Sequence, residues 1–284
     1  MTPVEHHYSL GAGQVVSLEY GSPECGTSLL FLHGWLDNAA SFNTVMAELH
    51  KLAPHLHLCA IDLPGHGLSS HKDDLNFYPF HDYIDDVYQL LAKLSPNRLV
   101  LVGHSLGALI ASCYSAAFPE QVSGLVQIEG YGPLAESSDQ CVSRLREGVL
   151  SRQRIRRKPE RTMSSLQEAL QRRAKVNQLE ADLIAPVVLR GIEQREMGWQ
   201  WRHDNKLQSQ SLYRMSFQHA ETIRKQILCP QLIILGHEGF DYLQSIEMDG
   251  SNTTQVVQVN GGHHCHLQSP SRVSSLIFGL VNKI

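Results

Sequence analysis

The segment Gly103-His104-Ser105-Leu106-Gly107 sets a serine between two glycines, directly after the apolar run RLVLV and before ALIASCYSAAF. A serine hydroxyl is a weak nucleophile at its ordinary pKa, so it needs a neighbouring base and donors that receive the oxyanion. A nucleophile elbow, a strained strand-to-helix turn, exposes such a hydroxyl, and glycines two positions either side let strand and helix approach. The flanking strand and helix argue against a chance glycine-flanked serine. The amide of Leu106, at the start of the helix, faces the place where charge would develop. A second donor for the oxyanion hole is the Trp35 amide, because Leu32-His33-Gly34-Trp35 closes another apolar run and glycine lets the chain bend there. His33, Gly34 and His104 border the space left for a substrate, with His33 holding its loop by hydrogen bonds rather than moving protons. The loop Gly261-Gly262-His263-His264-Cys265-His266 offers several histidines as general base. Read instead as a metal cluster it lacks a second group of ligands at recognisable spacing, so no metal is expected.

The elements needed to position these groups are legible. VVSLEY, SLLFLHG and HLHLCAIDLPGHG are short apolar runs closed by glycine or proline, which predicts strands. Tyr83, Val87, Leu90, Leu91 and Leu94 recur at helical spacing, and Ser95-Pro96-Asn97 ends that helix before the next strand. Strands alternating with helices predict a mostly parallel sheet covered on both faces. The sheet is expected over 1–130 and 228–284. Strand signals vanish over 131–227, which reads as an inserted helical cap. Trp199, Trp201, Tyr213 and Met215 lie within it and are assigned to its own core rather than to a substrate pocket.

Length and composition narrow the function. The 284 residues suit one domain with an insertion, and 42% apolar against 18% charged residues is globular composition. A net charge of -4 supplies no general attraction to nucleic acid or anionic lipid. The basic run from Arg144 to Arg161 is read as a solvated helix face, balanced by acidic neighbours. Six scattered cysteines without a C-x-x-C spacing read as reduced thiols. Neither a leader pattern nor a membrane-length apolar run is recognised, so a cytoplasmic location and a small-molecule partner are expected. The oligomeric state is not legible.

These motifs resemble the α/β-hydrolase superfamily. HGWLDNAASF, DLPGHGLSS, GHSLG and GGHHCHLQSP occur in its order and cover nearly the whole chain. Its members commonly carry G-H-x-x-H-L-x-x-P after the last strand, with the first histidine catalytic. Gly262, His263, His266, Leu267 and Pro270 match, so the resemblance makes His263 the base and His266 a supporting residue. The LDNAASF stretch from Leu36 to Phe42, and Trp201-Arg202-His203-Asp204, resemble the serine hydrolase-like branch in particular. Substrates of that branch are poorly defined, so a mechanism carries over and a substrate does not. The resemblance implies a mostly parallel eight-stranded sheet flanked by helices. Related dehalogenases and epoxide hydrolases have aspartate where Ser105 stands, which excludes their alkyl-enzyme route.

One departure concerns the triad acid. The superfamily usually places it in G-x-x-D, but Gly236-His237-Glu238-Gly239 has glycine at that position. Glu129, ending the strand GLVQIE, is preferred because a buried strand-end carboxylate needs a partner such as an imidazole. Asp241 is the alternative acid, with Glu238 also satisfying the order serine, acid, histidine. The expected activity is a cofactor-free serine esterase acting on a carboxylic ester, lactone or thioester through a catalytic triad. Carbon-carbon bond hydrolysis and a non-catalytic binding role on the same scaffold are the rivals.

Overall fold

A computed structural model describes residues 2–11, 13–245 and 253–284. Eight strands form its main sheet: β1 (Val4–Leu10), β2 (Gly13–Tyr20), β3 (Thr27–Leu32), β4 (His57–Ile61), β5 (Arg98–His104), β6 (Val122–Ile128), β7 (Gln231–Glu238) and β8 (Thr254–Gly262). Their order is β1-β2-β4-β3-β5-β6-β7-β8. Strand β2 runs antiparallel to β1 and β4, and the remaining pairs are parallel. This is the α/β-hydrolase fold.

Both faces of the central strands β3, β4, β5 and β6 are buried, so these read as continuous apolar runs rather than alternating ones. The period of two survives in what each residue touches. Leu29 and Phe31 of β3 join Val100, Val102, Val126 and Ile128 under helices α1 (Asn43–Leu52) and Pro270–Val281. Leu30 and Leu32 join Leu99, Leu101 and Leu125 under α2 (Asp82–Leu94) and α3 (Leu106–Ala117). The predicted helix is α2, and its buried stripe is Tyr83, Val87, Leu90, Leu91 and Leu94.

Between β6 and β7 the chain leaves the sheet for four helices, α4 (Cys141–Arg157), α5 (Leu166–Asn177), α6 (Ala181–Gly191) and α7 (Phe217–Lys225). The expectation of a purely helical stretch is corrected here. Ile192–Arg195 pairs with Gly198–Trp201, and Ala135–Glu136 pairs with Met215–Ser216. These ribbons of two to four residues per strand are too short to show periodicity. Helix α4 buries only Gly148 and Ser151, leaving its basic face exposed. Two of its guanidinium groups, Arg152 and Arg156, lie 4.5 and 5.1 Å from the Phe77 ring centre. All six cysteines are free, and among the described residues no helix is long and apolar enough to cross a membrane.

Candidate active site

Ser105 occupies the turn between β5 and α3 with φ 50° and ψ -115°, a backbone that costs a non-glycine residue free energy. The surrounding packing holds it there. Its amide donates to the carbonyl of Ile128 at 2.9 Å, and neither flanking glycine has room for a side chain. A Cβ at Gly103 would lie 2.3 Å from the Ala108 nitrogen, and one at Gly107 would lie 1.9 Å from the Leu32 carbonyl oxygen. The G-x-S-x-G spacing is therefore a steric condition for closing the turn.

Leu106 opens α3, so its N–H has no acceptor within the helix. Trp35 follows Gly34 in the loop after β3. Among the described residues neither amide donates to another protein group, which leaves two donors beside the serine turn. The Trp35 side chain is fixed separately, its Nε1–H donating to the Leu207 carbonyl at 3.0 Å.

His263 follows β8 and lines the same cleft as Ser105, a cavity of about 610 Å³ bordered also by Gly34, Trp35, Val176 and Phe240. Its Nδ1 lies 3.4 Å from Oε2 of Glu129. Glu129 directly follows β6 in a left-handed conformation, φ 48°, and is 1% exposed. Its carboxylate also accepts from the amides of Gly236 at 2.7 Å and Phe240 at 3.3 Å. The missing G-x-x-D acid has a spatial explanation. A Cβ at Gly239 would lie 2.2 Å from Oε1 of Glu129, so the carboxylate from β6 fills the space a side chain from β7 would need. Asp241 and Glu238 are exposed, and Asp241 begins the short helix Asp241–Gln244. Neither makes a hydrogen bond to His263 among the described residues.

Two residues assigned to substrate contact have other surroundings. His33 is fully buried, with Nδ1 2.7 Å from the Gly34 carbonyl and Nε2 accepting from the Leu63 amide at 3.0 Å; it is tied into the loop and turned from the cleft. His104 is 1% exposed, and its Nε2–H donates to the main-chain carbonyl of His263 at 2.8 Å. It braces the histidine loop and, with Gly34, borders the cleft, with almost none of its own surface exposed. Burial, reinforced by neighbouring histidines, holds His104 well below the ordinary imidazole range and puts His266 at about 3, so both are neutral at physiological pH.

Sequence marks Asp37 and Asn38 by resemblance alone and does not single out Arg173. Asp37 Oδ1 accepts from Arg173 of α5 at 2.6 Å, and the same guanidinium bonds the Leu36 carbonyl at 3.1 Å. Asn38 donates to the Val187 carbonyl of α6 at 2.7 Å. Burial raises the Asp37 pKa, but His264 and Arg173 outweigh it and keep the carboxyl well below its usual range. Arg190 of α6 adds an Nε–H shared between both oxygens of buried Asp62 after β4, 3.0 Å to each. The L-D-N stretch was the available signal, and its work is to seat the excursion on the sheet. Trp199 and Trp201 pack with Met163 and Ile184 inside the excursion, whereas Tyr213 and Met215 line a second cavity of about 170 Å³ beside Trp35 and Leu106.

A family model for the alpha/beta hydrolase fold matches residues 27–270. The chain belongs to the α/β-hydrolase family. Within this family it is similar to a serine hydrolase-like protein of Danio rerio, 28% identical over 90% of this chain and 81% of that one. It is also similar to human serine hydrolase-like protein 2, 29% identical over 93% of this chain and 90% of the relative. The crystal structure of a hypothetical protein from Pseudomonas aeruginosa PAO1 superposes with TM-score 0.86 at 28% identity, covering 97% of this chain and 99% of that one. These likenesses make the α/β-hydrolase described here a hydrolase near the serine hydrolase-like branch.

Proposed function

We propose that the protein is a serine esterase-type hydrolase, cleaving a carboxylic ester, lactone or thioester of a small molecule through an acyl-enzyme on Ser105. Glu129 accepts a hydrogen bond from the Nδ1–H of His263 and leaves Nε2 as the proton acceptor. His263 takes the Ser105 proton as oxygen attacks the carbonyl, then returns it to the leaving group. The Trp35 and Leu106 amides hold the oxyanion. Water, deprotonated by the same imidazole, releases the acid. The excursion over 131–227 acts as a cap, and the cavity lined by Tyr78, Leu134, Tyr213 and Met215 beside the oxyanion donors gives it a hand in substrate choice.

The observation that carries this reading is the buried Glu129 carboxylate, 3.4 Å from His263 Nδ1, in the space left by Gly239. A binding protein without catalysis drew its support from the absent G-x-x-D acid, and that support goes once Glu129 stands in the acid's place. The test is intact-mass detection of a fluorophosphonate adduct. One adduct on the natural protein, absent from Ser105→Ala, is the expected result; no adduct on either protein overturns the proposal.

A further inference from the structure

Beside the proposed base lies a buried group that the hydrolytic cycle does not use. His104 Nε2 carries its proton to the His263 carbonyl, 2.8 Å away, so Nδ1 presents a lone pair. That nitrogen is buried, has no hydrogen-bond partner, and faces Asp37 Oδ2 at 3.8 Å. His264 Nε2 faces the same oxygen at 3.4 Å and is 3.0 Å from the Asn177 amide nitrogen, while its Nδ1 is buried without a partner. Two imidazole nitrogens and a carboxylate oxygen thus converge, all three within 4.8 Å of one another. The buried lone pair of His104 Nδ1 facing the Asp37 carboxylate calls for a cation or a bridging water between them. A second buried trio, Glu19, His57 and Cys59, is different in kind. There Glu19 already receives Tyr8 and Ser17 hydroxyls, the Cys59 thiol and the His57 ring, so no atom is left over.

We propose that Asp37, His104 and His264 form a binding site for a divalent transition-metal ion of the Zn2+ class, whose occupation inhibits the enzyme through His263. Two imidazoles and one carboxylate suit a borderline divalent ion. Zinc at its usual bond lengths sets tetrahedral ligand atoms about 3.4 Å apart, against 3.4 and 3.8 Å for the two Asp37 legs. The Asn177 amide gives up its contact with His264 when the ion enters. The Arg173 guanidinium stays on Asp37 Oδ1, at 2.6 Å, as the outer hydrogen bond of a ligating carboxylate. Its positive charge keeps the affinity below that of a structural zinc site. All three ligand residues also line the cleft that holds Ser105, which gives the ion its way in and a fourth position for water. Inhibition follows from position. His104 holds the main chain of His263 through its Nε2–H at 2.8 Å, and His264 is the next residue in the chain, so an ion that draws both rings onto Asp37 displaces the proposed base from Ser105.

Co2+ titration of the metal-free full chain tests the site without requiring activity. Visible bands of low-symmetry Co2+ that saturate at one ion per chain, vanish on adding Zn2+ and are lost in His264→Gln are expected. With Zn2+ present, fluorophosphonate labelling of the natural protein slows about ten-fold or more, and labelling of His264→Gln does not. Only the weak bands of hydrated Co2+ on the natural protein overturn the proposal, as does undiminished binding in a His264→Gln variant that melts like the natural protein, since the ion then sits on other histidines or on exposed Cys25 or Cys141. Absence of labelling with the Co2+ bands intact would count against the esterase reading and leave the metal site standing.

Discussion

Moving the proposed triad acid from Glu129 to position 239 follows directly from the shared space at the ends of β6 and β7. Glu129→Gln keeps the side-chain volume but presents either an amide or a carbonyl to His263 Nδ1, 3.4 Å away, and loses the charge that stabilises the imidazolium. The expected fall in kcat is about 1,000- to 10,000-fold, or about 4 to 5.5 kcal/mol of transition-state free energy. Gly239→Asp alone is worse than useless, because its Cβ would lie 2.2 Å from Oε1 of Glu129 and two carboxylates cannot both stay ionised there. The double variant Glu129→Gly with Gly239→Asp removes that conflict. Glycine takes φ 48° at position 129 freely, and the new carboxylate enters the vacated space from β7. Steady-state hydrolysis of an ester found by screening, with melting temperature as the control for folding, should show the double variant recovering about ten-fold or more over Glu129→Gln. A Glu129→Gln enzyme with kcat near that of the natural protein would refute the assignment. So would loss of activity in Asp241→Asn, and Gly239→Asp that is fully active and stable would refute the shared-space argument.

Further predictions concern the scaffold. Gly107→Ala, with a methyl 1.9 Å from the Leu32 carbonyl oxygen, should abolish soluble expression or lower the melting temperature steeply; a normal melt would refute the steric account of the turn. Asp86 is buried with an unpartnered Oδ2, and burial first, then Asp82 and Asp85 against Lys72, raises its pKa to about 6. The folded state therefore favours its protonated form, and stability is lost as pH rises through about 6. Asp86→Asn should gain about 2 kcal/mol at pH 8 and nothing below pH 4, read from urea midpoints at the two pH values. Glu19 is the opposite case. Burial raises its pKa, but His57, Ser17 and Tyr8 outweigh burial and hold it at about 2. Its contribution is present above pH 4.5 and drains away towards pH 2, so the natural protein should lose about 2 kcal/mol over that interval relative to Glu19→Gln.

The serine turn was legible because its requirements are local: two glycines, a strand before and a helix after. Glu129 was legible for a related reason, as a carboxylate ending an apolar strand that needs a partner. That Gly239 and Glu129 compete for one space was not, since it depends on two strand ends brought together by a parallel pairing of β6 and β7. The side-chain directions of His33 and His104 were likewise hidden. Sequence places both beside the cleft, and only packing shows both His33 nitrogens spent on Gly34 and Leu63 and the His104 Nε2–H spent on the His263 carbonyl. The tryptophans and Tyr213 with Met215 looked alike in composition, yet the first pair packs against Met163 and Ile184, with Trp201 bordering a separate cavity of about 520 Å³, and the second faces the cavity beside Trp35 and Leu106. Such a division follows from which ribbon each joins, and strands of two residues leave no periodic trace.

The loop after β3 carries one proposed oxyanion donor and is fastened to the proposed cap, the excursion over 131–227, through Trp35, Leu36, Asp37 and Asn38. For anyone wishing to exchange substrate ranges between relatives, the transferable module is consequently larger than the insertion. A cap transplanted from a homologue would arrive with carbonyls and a guanidinium matched to the donor protein's own loop. Residues 34–38 should travel with it, and a chimera made at the obvious strand boundaries would inherit a foreign pocket over a misplaced oxyanion hole.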